Sequence, residues 1–280
     1  MLKILKPGFF TTVQDVGRLH YRDKGVPVSG VMDSFSLSML NMLLENDVQA
    51  AALEITMTGP KLQFESDSYI AMGGANFSLT LNERPLQNFK VYKVAAGDIL
   101  SYGKLEKGFR GYLAIKGGFR TPLILGSHSY FIPLTASDSI KEKACIPYNE
   151  VKNFAPKIQE LKANSLLKET VLEVYQGPEY DLLTKTRLTT LFFNEFTIAK
   201  EYNRMAYQLS ETIEPHEVSI LTSATLPGTV QLTPSGKLII LMKDGQTTGG
   251  YPRILQLSDR AISILSQKRF GDSISFKLIG

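Results

Sequence analysis

Short apolar stretches of strand character recur along most of this 280-residue chain, and Gly, Pro, Asn or Asp ends almost every one. Residues 68–74 (SYIAMGG), 77–82 (FSLTLN), 111–118 (GYLAIKGG), 237–244 (KLIILMKD) and 273–279 (SISFKLI) are examples. Strand-like apolar stretches bounded by turn residues at this frequency favour barrels or sandwiches. Helices are few by the same reading. One is expected from Ser34 to about Leu44, with Asp33 or Ser34 as N-cap. A second is expected to start at Pro178 and run through DLLTKTRLTTLF, with proline in its favoured first turn. A third, SDRAISILSQ, would be capped by Ser258.

The chain carries a faint internal echo. Residues 94–102 (VAAGDILSY) and 268–276 (KRFGDSISF) each place a Gly-Asp turn before an alternating strand, and each closes a strand-rich half. Two barrels of similar construction would explain this; a commonplace hairpin ending would explain it too. The length suits two domains of ordinary size. We divide the chain at 1–160 and 161–280, within a polar, motif-poor stretch over 131–170, and leave the N-terminal segment free to pack with the second part.

Composition excludes several classes. Hydrophobic residues make up 43% and charged residues 21%, the profile of a soluble protein with a real core. The net charge of +4 is small and the basic residues are scattered, so no nucleic-acid partner is expected. No apolar run approaches the ~20 residues that cross a bilayer, so no membrane partner is expected either. Cys145 is the only cysteine, which forbids an intrachain disulfide and suits a reducing cytoplasm. The apolar stretch before Pro7-Gly8 is too short for a signal peptide.

Familiar catalytic kits are missing from the sequence. His20, His128 and His216 lie far apart and form no metal-binding pair, so no metal is expected. There is no nucleophile elbow and no Walker loop; GGYPRI lacks the required lysine. Met242-Lys243 is followed by Asp244, so it is not a Met-Lys-Met biotin site. The catalytic residues are therefore left unassigned.

Polar, glycine-rich loops stand out instead. In 8–18 (GFFTTVQDVGR), Thr12, Gln14, Asp15 and Arg18 crowd together, and 25–35 (GVPVSGVMDSF) follows with Ser29, Gly30 and Asp33. Gln14 can both donate to and accept from an amide, and Arg18 could pair bidentately with a carboxylate or phosphate. Alternatively, Asp15 and Arg18 form a surface turn pair and Asp33 merely caps a helix. The loop 243–254 (KDGQTTGGYPRI) brings Gln246, Thr247, Thr248, Gly249 and Tyr251 to a strand end, where successive N–H groups can cradle an anion. A hairpin with a bulge is the competing reading. Arg110, Arg120 and Arg204 are diffuse, and a lone arginine more often snorkels than binds.

These loops, together with ALEITMTGPKLQF, GFRGYLAIKGG and LGSHS, occur in the order found in the allophanate hydrolase subunit 2, or KipA-type, family, which the chain resembles over nearly its whole length. The resemblance implies a mainly β fold of two cyclophilin-like β-barrel domains with a few short helices. The free-standing form is similar to the C subunits of ATP-dependent 5-oxoprolinases. That implies a KipI-like B subunit and a LamB/YcsF-like A subunit as partners, 5-oxoproline as substrate, and ATP used by the complex with no biotin on this chain. A five-membered lactam is an unactivated amide, so coupling its opening to ATP is chemically reasonable. The resemblance also assigns Thr12, Gln14, Asp15, Arg18, Ser29, Gly30, Asp33, Gln246, Thr247, Thr248, Gly249 and Tyr251 to binding loops. Arg204 stays a candidate, although Tyr202-Asn203-Arg204-Met205-Ala206 stands where relatives have Ser-Asp-Arg-Met-Gly. His128 stands where they have arginine in Gly-Ser-Arg-Ser. Other members imply two alternatives, a component of a biotin-dependent urea or allophanate-type carboxyltransferase and a regulatory antagonist of a KipI-like kinase inhibitor. The expectation for the site is that the loops around Gln14 and Thr248 face one pocket, and that the chain is inactive alone.

Overall fold

The computed structural model describes residues 1–162 and 166–279. Among these the chain is mainly β with three α-helices, and it divides into two compact units. The first comprises Met1–Arg18 and Ser29–Leu167; the second comprises Leu19–Val28 and Lys168–Gly280. Residues 163–165, within the stretch assigned to a connection, lie outside the described residues.

The first unit contains β1 (Leu2–Lys6), β2 (Phe10–Gln14), α1 (Ser34–Leu43), β3 (Ala52–Thr56), β4 (Lys61–Phe64), β5 (Ser68–Leu81), β6 (Arg84–Pro85), β7 (Val91–Val94), β8 (Ile99–Ile115) and β9 (Cys145–Ile146). Its sheet runs β2-β3-β8-β4-β1-β9, and β5 pairs with β6, β7 and β8. The 17-residue β8 is the spine: β3 and β4 pair along it, and β5 pairs along it from Ile70↔Ile115 to Leu81↔Leu100.

Side-chain alternation sorts the two faces of this sheet. Leu53 and Ile55 of β3, with Leu113 and Ile115 of β8, enter one core with Leu2, Ile4, Leu62, Phe64 and Phe119. Ala52 of β3, with Tyr112 and Ala114 of β8, faces a second cluster with Leu37, Leu40, Leu43 and Leu44 from α1 and its end. Each buried leucine contributes about 1.5–3 kcal/mol. By the same alternation Glu54, cross-strand from Tyr112, falls on the face that α1 covers.

The second unit contains β10 (Val171–Gln176), α2 (Lys185–Phe193), β11 (Phe196–Tyr202), β12 (Ala206–Thr212), β13 (Ser223–Ala224), β14 (Thr229–Leu232), β15 (Lys237–Leu241), β16 (Thr248–Gly249), β17 (Arg253–Leu257), α3 (Asp259–Ser266) and β18 (Ser273–Leu278). Seven strands close a barrel in the order β10-β17-β14-β15-β12-β11-β18, sealed by the parallel pair β10–β18. Strands β13 and β16 form a separate two-stranded ribbon.

Two helices start where the sequence places them, with Asp33 capping α1 and Ser258 capping α3. The third differs. Pro178 precedes only a 3-10 turn over Tyr180–Leu182, Leu183 is extended, and α2 begins at Lys185 under a Thr184 cap. The hydroxyl of Thr184 accepts the Arg187 N–H and outweighs the proline signal. The Gly-Asp echo is structural. The Asp98 carboxylate accepts from Ala95 N at 2.8 Å, and the Asp272 carboxylate accepts from Arg269 N at 2.9 Å. Each aspartate N–H returns to the same residue's carbonyl, and Gly97 and Gly271 adopt φ of 94° and 87°. Each turn feeds a strand of its own unit, β8 or β18.

Candidate functional site

In the first unit the polar loops converge on one buried carboxylate. Asp15, 3% exposed, accepts hydrogen bonds from Gly17 N (2.8 Å), Ser127 Oγ (2.6 Å), Ser129 Oγ (2.7 Å) and His128 N (2.6 Å). Its own N–H donates to Ser129 Oγ at 3.0 Å. Arg18 is also buried, and its guanidinium donates to the Ile124 carbonyl at 3.2 Å and the Ser129 carbonyl at 2.6 Å. Asp15 and Arg18 are therefore not an exposed turn pair; both fasten the 14–18 loop to the 124–129 loop.

The turn at 29–33 is held by three successive backbone donors. Val31 N donates to the Asp15 carbonyl (2.9 Å), Met32 N to Glu54 Oε2 (2.7 Å) and Asp33 N to the Tyr112 hydroxyl (3.0 Å). Tyr112 in turn donates to Glu54 Oε2 at 2.9 Å. Burial, reinforced by the Glu54 and Asp33 charges, pushes the Tyr112 phenol well above its ordinary range, so it stays protonated as a donor. Arg110 lies 3.8 Å from Glu54 Oε1, which balances a carboxylate with no exposed surface. Gly30 is required here: at φ 79°, a Cβ would sit 2.8–2.9 Å from backbone atoms of Val16, Asp15 and Gly17. Ser29 precedes it at φ 55°.

Inside this frame two side-chain oxygens remain open. Gln14 Nε2 donates to Thr12 Oγ1 (3.1 Å) and the Tyr130 carbonyl (3.2 Å), but Gln14 Oε1 is buried without a partner. Ser29 Oγ is likewise buried without one. Such groups cost free energy unless something fills them, and they mark where a ligand or water would bond. Asp33 spends its carboxylate on α1, accepting from Ser36 N (2.9 Å) and Ser36 Oγ (2.7 Å).

The other candidates group in the second unit. Arg204 forms a bidentate pair with Asp244 at 2.8 and 3.1 Å. Thr248 and Gly249 pair with Ala224 and Ser223, so the glycine-rich loop is one edge of a ribbon. Thr225 fastens this ribbon, with Oγ1 donating to the Gln246 carbonyl and its N–H to the Thr247 carbonyl. Arg22 donates to the Thr225 carbonyl, and Arg253 donates to that of Ala224 while gripping Glu179. The Arg253 bond holds the Glu179 carboxyl below its usual range. A Cβ on Gly249 would strike Gln231 Nε2 and come within 2.9 Å of Gln246 Nε2. Tyr251 stands exposed beside the ribbon.

Sequence reasoning missed Glu54, Tyr112, Thr225 and Gln231. A glutamate inside the apolar ALEITM stretch was the available signal for Glu54. Among the described residues no group of His, Cys, Asp and Glu side chains could hold a metal ion, and no helix is long and apolar enough to cross a membrane.

Known proteins share this chain's sequence and fold. Residues 24–278 match the family described as "Carboxyltransferase domain, subdomain A and B". The chain is 32% identical to the 5-oxoprolinase C subunit of Escherichia coli (strain K12), over 99% of this chain and 90% of that protein. Among solved structures, TTHA0988 superposes with a TM-score of 0.90 at 26% identity, covering 99% of this chain and 55% of that one. The Kluyveromyces lactis urea amidolyase superposes with a TM-score of 0.89 at 28% identity, covering all of this chain and 19% of that one. The chain thus spans about half of TTHA0988 and a fifth of the urea amidolyase. A match to the domain model over most of the chain, joined to a full-length relative at 32% identity, means that this chain belongs to the carboxyltransferase-domain, subdomain A and B, family, on the branch of the 5-oxoprolinase C subunits.

Proposed function

We propose that the chain is the C subunit of an ATP-dependent 5-oxoprolinase, working in the cytoplasm with a KipI-like B subunit and a LamB/YcsF-like A subunit. The observation that carries this reading is the pair of buried side-chain oxygens without a partner, Gln14 Oε1 and Ser29 Oγ, in a frame dense in hydrogen bonds. An unfilled acceptor and a hydroxyl that can donate or accept are together complementary to the N–H and C=O of a cyclic amide. Asp15, Glu54 and Tyr112 fasten the 124–129 and 29–33 loops of this frame, the kind of support that substrate positioning requires. Under this reading ATP use and bond breaking belong to the assembled complex, in keeping with a sequence that carries no phosphate loop or nucleophile elbow. The chain alone is then inert.

A second reading, a component of a biotin-dependent carboxyltransferase, draws on the likeness to the K. lactis urea amidolyase. Met242-Lys243-Asp244 is not a Met-Lys-Met biotin site, so that reading needs biotin carried on another chain, whereas ours needs none.

One experiment separates these. Co-expression with KipI-like and LamB/YcsF-like proteins should give a complex stable to size-exclusion chromatography. Glutamate should form from 5-oxo-L-proline and ATP only when all three chains are present, and excess avidin should leave the rate unchanged. Separate elution, or no turnover by the assembled set, sinks the proposal; loss of activity with avidin transfers it to the carboxyltransferase reading.

A further inference from the structure

The first unit carries a cleft of about 570 Å³ that the loops described above only border. Its wall includes Asp15, Asp47, Gln49, Lys116, Arg120 and His128. The rim is held rigid. Ile124 and Ser127 exchange backbone hydrogen bonds at 2.9 and 3.2 Å around Leu125-Gly126, whose φ values of 52° and 76° make a primed two-residue hairpin. Phe119 N donates to the Ala51 carbonyl and Arg120 N to that of Pro147. Asn46 Oδ1 accepts from Gly117 N at 2.7 Å.

Most charges in the wall are occupied. Lys116 Nζ donates to the Leu44 and Glu45 carbonyls at the end of α1, and Asp47 Oδ1 accepts from Gln49 N. The Glu45 carboxylate accepts from Lys157 N. Two groups are not. The Arg120 guanidinium, exposed to solvent, makes no ion pair or hydrogen bond among the described residues. His128 Nδ1 lies 2.6 Å from the Thr121 carbonyl, which has no proton to offer, so Nδ1 is the donor there and Nε2 is the acceptor of the neutral ring. A cation and a hydrogen-bond acceptor thus both line a small-molecule-sized cleft, one on each side of the 124–127 hairpin.

We propose that this cleft binds a small oxyanion bearing a neighbouring hydrogen-bond donor. Arg120 meets the carboxylate or phosphate oxygens through its planar fork, and His128 Nε2 accepts the ligand's adjacent N–H or O–H. Both contacts come from residues outside the loops around Gln14 and Ser29, and binding here does not depend on the reading of the chain as part of a 5-oxoprolinase. A ligand in the cleft would touch that frame through His128, whose N–H already rests on the Asp15 carboxylate. 5-Oxo-L-proline carries a carboxylate one carbon from its lactam N–H and fits the description. Inorganic phosphate, partly protonated near neutrality, fits it too.

The test uses the isolated full chain at low salt, with the ring signals of its three histidines followed by NMR and His128 assigned through His128→Gln. Titration with 5-oxo-L-proline and, separately, with inorganic phosphate should move the His128 signals saturably. Acetate, which lacks the donor, should bind at least ~10-fold more weakly than the better of the two. Arg120→Ala should weaken that binding at least ~10-fold and Arg120→Lys less, with the backbone amide spectrum unchanged. Saturation by 5-oxo-L-proline alone identifies a carboxylate site, and by phosphate alone a phosphate site. No movement of His128 by either probe at tens of millimolar, or binding that Arg120→Ala leaves intact, overturns the inference. Turnover by the assembled complex does not enter the readout, so failure here is distinct from failure of the 5-oxoprolinase reading.

Discussion

Replacing Tyr112 by phenylalanine removes one oxygen from the centre of the frame and leaves the ring packing in place. That oxygen accepts from Asp33 N at 3.0 Å and donates to Glu54 Oε2 at 2.9 Å, in a residue with no exposed surface. The variant orphans a buried N–H and takes one donor from a buried carboxylate. A neutral hydrogen bond is worth about 1 kcal/mol net and one to a charged group about 1.5–3 kcal/mol, so the cost should be about 2–4 kcal/mol. Glu54 keeps the Met32 N–H, which argues against a larger loss. Urea denaturation followed by amide hydrogen exchange is the assay, because exchange reports the first unit apart from the second. The Asp33 amide should lose protection most, and α1, which Asp33 caps, should follow. A loss below about 0.5 kcal/mol, or unchanged exchange at Asp33, would refute the argument that this hydroxyl holds the 29–33 turn.

Other perturbations probe other parts of the account. Asp15→Asn should cost about 2–3 kcal/mol, because an amide NH2 would face the hydroxyl and N–H donors that the carboxylate now accepts; thermal unfolding reads it directly. Gly30→Ala and Gly126→Ala start from nearly equal φ, 79° and 76°, but only the first Cβ strikes backbone. The first should therefore be worse by at least ~1 kcal/mol, and equal losses would mean that conformation alone matters. The Glu179 carboxyl has a folded-state pKa below its unfolded value because Arg253 bonds to it. Its contribution is full above the unfolded carboxylate value of about 4.3 and lost as pH falls through the folded pKa. Glu179→Gln should flatten the acid-side decline in stability of the second unit, and an unchanged slope would show that other groups govern it.

Much of this architecture was legible in the sequence. Strands bounded by turn residues pointed to the mainly β fold, and Asp33 and Ser258 marked two helix starts through cap chemistry that acts over three residues. The Gly-Asp echo was legible for the same reason, since each turn closes on a residue three positions back. The start of α2 was missed because proline permits a first helical turn without compelling one, whereas Thr184 supplies a bond. The Glu54–Tyr112 pair joins residues 58 apart and exists only once β3 and β8 are in register. No local pattern encodes that register. Gln231 was invisible too, because the residue it packs against, Gly249, lies on another element well along the chain.

The claim at the centre of this account is that the 14–18 and 29–33 loops of the first unit supply ligand contacts of their own. Ser29→Ala in the reconstituted three-chain complex tests it most directly. Ser29 Oγ is buried and has no partner, so its removal should leave folding stability within about 0.5 kcal/mol of the parent chain. If that hydroxyl meets the substrate, ATP-dependent glutamate formation should fall at least ~10-fold, equivalent to about 1.4 kcal/mol of lost transition-state stabilisation. A Ser29→Ala complex that assembles normally and turns over 5-oxo-L-proline at the parent rate would contradict the account.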